Sequence, residues 1–201
     1  CIRDRMYTSD VPAGKIEALK SVRSIEQKLQ MGMISSVGTN SRGTLILTYD
    51  LGKEVPKRVA SNIVEGAAPT VGAKQILMGI ELARYLHAGV GDTVVFLGQG
   101  YQGATAAGLF TISGLLDMHL PELNRSTAYM GLSDLQELID APNLITALVI
   151  DMHDPKKLAV TKSEIKTLVG EDYEVMDWME LAPELQQTIA TSGAKAVSYT
   201  H

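Results

Sequence analysis

The sequence predicts an α+β protein in which a layered α/β part carries a smaller β-rich module inserted in it. Two patterns carry that reading. The C-terminal third alternates strand-like and helix-like segments, whereas the middle, about 66–126, reads as strands with one short helix. Composition adds a third. The 201 residues are 45% hydrophobic and 20% charged but only 5% aromatic, so the core has to be aliphatic.

Taken in order, residues 14–30 place Ile16, Leu19, Val22 and Leu29 at near-helical spacing among Lys and Glu, which predicts an amphipathic helix. "MISSVG" and "TLILTYD" read as strands around the turn "TNSRG". Residues 57–75 read mostly as connection, broken by Gly66, Pro69 and Gly72. "GIELARYLHA" predicts a short helix, and "GVGD" turns the chain into the strand "TVVFL". Residues 109–116 form its hairpin partner; "MHLPELNRS" reads as a loop and "TAYMGL" as a strand. Ser133 with Gln136 has capping-box spacing at the head of "SDLQELID". "LITALVID" is apolar enough for a strand buried on both faces. Asp154-Pro155 pairs an N-cap with a first-turn proline, and Gly170 ends the helix that follows. "YEVMDW" predicts a strand and "MELAPELQQTI" a further helix.

Gly98, Gly100 and Gly103 spell G-x-G-x-x-G directly after a strand. A dinucleotide site needs a helix to follow, because the helix N-terminus supplies the N–H groups for the pyrophosphate. Here Phe110 and Ile112 alternate with Thr111 and Ser113, a strand period. The glycines are therefore read as the loop of a long β-hairpin, where small side chains and positive φ are needed. No cofactor is expected.

The formal charge is −5, and no run of basic residues offers a nucleic-acid surface. The single cysteine, Cys1, excludes a disulfide framework and a cysteine metal site. His87, His119, His153 and His201 have no partners at metal-ligand spacing and read as surface histidines. Asp117 and His119 lack a nucleophile to serve. No catalytic, cofactor-binding or metal residue is assigned, so the chain is not expected to be an enzyme. "CIRDR" and "AVSYTH" read as non-native ends, 1–5 and 196–201, so the chain is read as a piece of a longer protein.

The stretch "IVEGAAPTVGAKQILMGIELARYLHAGVGDTVVFL" resembles the extracytoplasmic domain of MacB-like and LolC/LolE-like ABC transporter permeases, the FtsX-like superfamily. The shared features are Glu65-Gly66, the apolar Ile76–Gly79, Leu82-Ala83 and Leu86 in a short helix, Gly91-Asp92, and the strand Thr93–Leu97. The glycine hairpin followed by "PELN" is similar to lipoprotein-release permeases of Bacteroidota, and "YEVMDWMELAPELQQTI" resembles the segment that leads back to the membrane. The resemblance covers about residues 32–190.

It implies two lobes: a porter-like α/β sandwich from 6–65 and 127–190, and an inserted small β-rich lobe at 66–126. It implies an inner-membrane protein with this domain on the periplasmic side and transmembrane helices outside this sequence. A cytoplasmic ABC ATPase would act through the parent permease, and motion would pass to a lipoprotein, chaperone or periplasmic adaptor protein, with lipoprotein release or export as the outcome. The alternative is a stand-alone α/β enzyme or ligand-binding module using the 98–108 loop. Gln99, Tyr101 and Gln102 are the candidate partner contacts, because this uncharged hairpin tip presents one aromatic anchor.

Overall fold

The computed structural model describes residues 2–50, 55–100, 103–171, 173–177 and 180. The chain divides into two units. One comprises Cys1–Asp4, Val11–Ile25 and Leu148–His201; the other comprises Arg5–Asp10 and Glu26–Ala147. The fold is α+β. The boundary expected at 66 and 126 falls inside the second unit, because strands on either side of both positions share one sheet.

The elements are β1 (Ile2–Tyr7), α1 (Ala13–Glu17), β2 (Val22–Lys28), β3 (Gln30–Val37), β4 (Asn40–Tyr49), α2 (Lys57–Ala60), β5 (Ile63–Gly66), β6 (Gln75–Gly79) and α3 (Ile80–Leu86). There follow β7 (Thr93–Gln99), β8 (Thr105–Leu116), α4 (Pro121–Ser126), β9 (Thr127–Gly131), α5 (Leu132–Leu138), β10 (Leu144–Met152), α6 (Leu158–Val169) and β11 (Glu174–Val175). A four-stranded sheet has the order β11-β1-β10-β2, and a seven-stranded sheet the order β5-β8-β6-β9-β4-β3-β7.

Three readings are corrected here. Residues 14–30 are a five-residue helix, a turn and a strand, because Val22–Lys28 is a strand of the four-stranded sheet. Residues 2–5, set aside as a non-native end, lie in β1, where Ile2 and Arg3 pair with Val175 and Glu174. Ser133 caps nothing. Gly131 occupies the N-cap of α5 without a side-chain bond, and Gln136 instead donates from Nε2 to the Leu144 carbonyl at 2.9 Å.

In the first unit, Val11, Ile16, Val22, Leu148, Ile165 and Val169 are buried, and α1 packs on α6. Asp154 accepts from the Lys156 N–H at 3.0 Å as expected of a cap, and Gly170 at φ 75° ends α6. Asp177 and Glu180 make a reciprocal capping box. The Glu180 carboxylate accepts from the Asp177 N–H at 2.9 Å, and Asp177 accepts from the Glu180 N–H at 3.1 Å.

In the second unit, an additional β7–β8 pairing closes six of the seven strands into a mixed barrel, leaving β5 outside the ring. Alternation fills it: Met33, Ile46, Val94, Phe96, Phe110 and Ile112 are buried, and the Phe96 and Phe110 rings meet edge-on at 5.8 Å. The side chains of Ser35 and Thr44 satisfy each other at 2.5 Å inside the barrel. The hydroxyl of Thr48 accepts from the Leu29 N–H at 2.7 Å, tying down the start of β3.

The barrel registers contain an internal two-fold. In one half, the β3–β4 hairpin is followed by β6 and α3; in the other, the β7–β8 hairpin is followed by β9 and α5. Both third strands end in Met-Gly, and Gly79 (φ −59°, ψ 134°) and Gly131 (φ −61°, ψ 140°) start their helices in the same conformation. Each third strand pairs in parallel with the other half's hairpin: Gly79 faces Leu116, and Gly131 faces Tyr49. Where the halves meet, the pairings map onto themselves. Leu77 faces Tyr129, and Ser35 faces Phe96 between the pairs Ile34–Leu97 and Ser36–Val95. Because β6 and β9 are antiparallel, α3 and α5 leave from opposite ends of the barrel.

Candidate functional site

The three motif glycines sit in a hairpin, each for its own steric reason. Gly98 lies against Met33, where a Cβ would stand 2.9 Å from the methionine Cε. A Cβ on Gly100 would stand 3.1 Å from the Ile139 carbonyl oxygen, and Gly103 has φ +85°. The Gly100 N–H donates to the Ala104 carbonyl at 2.6 Å, closing the loop. In place of the helix a phosphate site requires, β8 begins at Thr105 and its Thr105–Thr111 stretch pairs antiparallel with the whole of β7.

Gln99 ends β7 and is exposed. It lines a cleft of about 650 Å³ with Tyr7, Gln30, Met31, Gly103 and Thr146, within the usual size of ligand clefts. Tyr101 and Gln102 lie outside the described residues. Its described lining carries no charged side chain, and the Tyr7 phenol and the Thr146 hydroxyl are among its polar groups. It can bind by apolar contact and hydrogen bonds. Thr146 fixes one wall: its hydroxyl accepts from the Gln30 N–H at 2.9 Å. Beside the cleft, the outer sheet face exposes Ile34 (50%), Leu45 (37%), Leu97 (39%) and Leu109 (63%). A shallower hollow of about 470 Å³ runs among the first three.

Sequence reasoning named Gln99 as a candidate contact; it did not name Tyr7, Met31 and Thr146, which reach the cleft from distant segments. The available signal was Gly32, a strand glycine of the kind that marks close backbone approach. The histidines stay apart. His87, His119 and His153 are exposed, and His87 Nδ1 lies 3.2 Å from Asn40 Nδ2. Asp117 serves structure, accepting from Asn124 Nδ2 at 2.8 Å and the His119 N–H at 3.0 Å. Among the described residues, no three His, Cys, Asp or Glu side chains gather to hold a metal ion. Gly91-Asp92 turns the chain between α3 and β7: Gly91 has φ +96°, and the Asp92 carboxylate accepts from the Gly89 N–H at 2.8 Å.

No protein-family profile matches the chain. Over 112 residues it is 29% identical to the lipoprotein-releasing system transmembrane protein LolC of Xylella fastidiosa strain Temecula1. That match covers 53% of this chain and 27% of LolC, so the chain spans about a quarter of this relative. The structure superposes on the extracellular domain of the noncanonical ABC-type transporter YknZ from Gram-positive bacteria. The TM-score is 0.64 at 15% identity, covering 86% of this chain and 90% of that one. It also superposes on the periplasmic region of MacB from Actinobacillus actinomycetemcomitans, with TM-score 0.58, 16% identity, and 94% and 84% coverage. The chain has the extracytoplasmic domain fold of a MacB-, YknZ- or LolC-type ABC permease. Its glycine hairpin and cleft both belong to the barrel unit.

Proposed function

We propose that the chain couples ATP-driven movement of a parent permease to lipoprotein release or export at the outer face of the membrane. In this reading the parent carries transmembrane helices and engages a cytoplasmic ABC ATPase. The first unit is the porter-like lobe, and the barrel unit is the lobe that meets a lipoprotein, chaperone or periplasmic adaptor. The observation that carries the reading is the coincidence of fold and sequence. Two transporter domains superpose over most of the chain, and the sequence similarity is to a lipoprotein-releasing protein. Gln99, Tyr101 and Gln102 are the proposed contact residues, supported by the exposure of Gln99 beside an uncharged cleft.

The test is the full-length protein, co-expressed with its ATPase and loaded with a lipoprotein in proteoliposomes. Tyr101→Ala with Gln102→Ala should leave folding and ATP hydrolysis intact and lower lipoprotein release. Release at the wild-type level excludes the contact. A full reading frame without apolar spans of about 20 residues excludes the permease itself.

A further inference from the structure

We propose that the barrel takes up an extended segment of a partner protein as an added β-strand, between the diverging ends of β3 and β7. The two strands pair only at Ile34–Leu97, Ser35–Phe96 and Ser36–Val95. β3 nevertheless extends back to Gln30 and β7 on to Gln99, and the cleft opens between these ends.

The backbone on both walls presents strand-type hydrogen-bonding groups to the opening. Along an antiparallel ladder, alternate residues bond to the same neighbour. The β3–β4 hairpin closes at Val37–Asn40, a bonded pair across a two-residue turn. Met33, Ser35 and Val37 thus bond to β4, and Gly32, Ile34 and Ser36 point the other way. The Gln30 N–H follows the same parity, turned from β4 to Thr146. On the opposite wall, Gly100 bonds to Ala104 in β8, so Val95, Leu97 and Gln99 point toward β3. The next rung would join Gly32 to Gln99, and the pairing stops before it. Both residues direct an N–H and a C=O into the cleft.

That pattern selects the occupant. Main-chain groups at strand spacing are matched by another extended main chain, the chemistry of strand addition. Gly32, with open space where a side chain would stand, keeps its wall low enough for a backbone to approach. No charged residue lies in 30–37 or 93–116, so the complementary segment is uncharged. Its alternate side chains would rest on Ile34, Leu45 and Leu97 beside the cleft. The proposal concerns binding alone and stands independently of the transport reading.

The test titrates the isotope-labelled 201-residue chain with acetyl-Thr-Val-Thr-Val-Thr-Val-amide, followed by amide NMR. A second peptide of the same sequence carries N-methyl groups on alternate amides. The amide signals of Gly32 and Gln99 should shift, and their solvent exchange should slow about tenfold or more. The N-methylated peptide should bind about tenfold more weakly, having lost backbone donors but no apolar surface. Gly32→Pro removes a cleft-facing N–H without removing a β3–β4 bond and should weaken binding similarly. Should that variant misfold, the two peptides on the wild-type chain still decide. Equal binding of both peptides, or shifts confined to Ile34, Leu45 and Leu97, would reduce the site to an apolar face and overturn the proposal. So would a dimer of this chain that the peptide dissociates, since the occupant would then be a second copy.

Discussion

A Cβ on Gly79 would stand 2.5 Å from the backbone carbonyl oxygen of Asn124, closer than real Cβ atoms come. The Gly98–Met33 approach is also short, but there the obstacle is the mobile end of a methionine side chain. Gly79→Ala should therefore cost about 3 kcal/mol, because α4 must shift, and Gly98→Ala less than about 1 kcal/mol. Urea unfolding of the two variants checks this; equal losses would contradict it.

Asn124 is buried and holds the turn before α4 with both ends of its amide. Its oxygen accepts from the Met118 N–H at 2.8 Å, and its nitrogen donates to Asp117 at 2.8 Å. Asn124→Ala leaves the Met118 N–H without this partner and should destabilise by about 1–3 kcal/mol. A loss below about 0.5 kcal/mol in thermal or urea unfolding would show that the turn stands without it.

Those bonds also set a pH dependence. Hydrogen bonding from Asn124, and then from the His119 N–H, holds the Asp117 carboxyl below the usual carboxylate range. A depressed folded-state value means its contribution is present above the unfolded value of about 3.9 and lost as pH falls through the folded one. Asp117→Asn should flatten the acid limb of stability against pH below about 4, measured by melting temperature. An unchanged limb would assign the acid loss to other carboxyls.

Tyr49 is buried, and its hydroxyl has no hydrogen-bond partner among the described residues. Burial, reinforced by the charge of Asp134, pushes its pKa up to about 12. A raised value means stability is complete below the unfolded value of about 10 and declines as pH rises toward the folded one. Tyr49→Phe should therefore be neutral or stabilising at pH 7, within about 1 kcal/mol, since it removes an unsatisfied buried group. It should also lessen the alkaline decline. A loss above about 2 kcal/mol in urea unfolding would mean the hydroxyl is satisfied.

The sequence disclosed what lies in local periods. Phe110 and Ile112 alternate with Thr111 and Ser113, and that alternation located the hairpin and dismissed the nucleotide loop. Ile16, Leu19 and Val22 misled, because three apolar residues at helical spacing also fit a short helix that turns into an edge strand. Asn124 was passed over in a presumed loop, although Pro121 offered a helix-start signal at α4. The cleft was illegible. Gly32, Gln99 and Thr146 meet through pairings across more than half the chain, and no local pattern encodes a rung that two strands fail to make. The paired Met-Gly of Met78-Gly79 and Met130-Gly131 was legible but too short to signal duplication unaided.

Exchange of third strands between the halves fixes when the barrel can close during synthesis. β9 lies between β4 and β6 in space yet is the last of the six ring strands to be made. Until Gly131 has left the ribosome, β4 and β6 keep unpaired edges flanked by Ile46, Ile76 and Met78, the kind of surface on which nascent chains stick to one another. A stall or truncation before Thr127 leaves not a smaller barrel but an open, apolar sheet, so quality control has to shield this stretch until β9 has emerged.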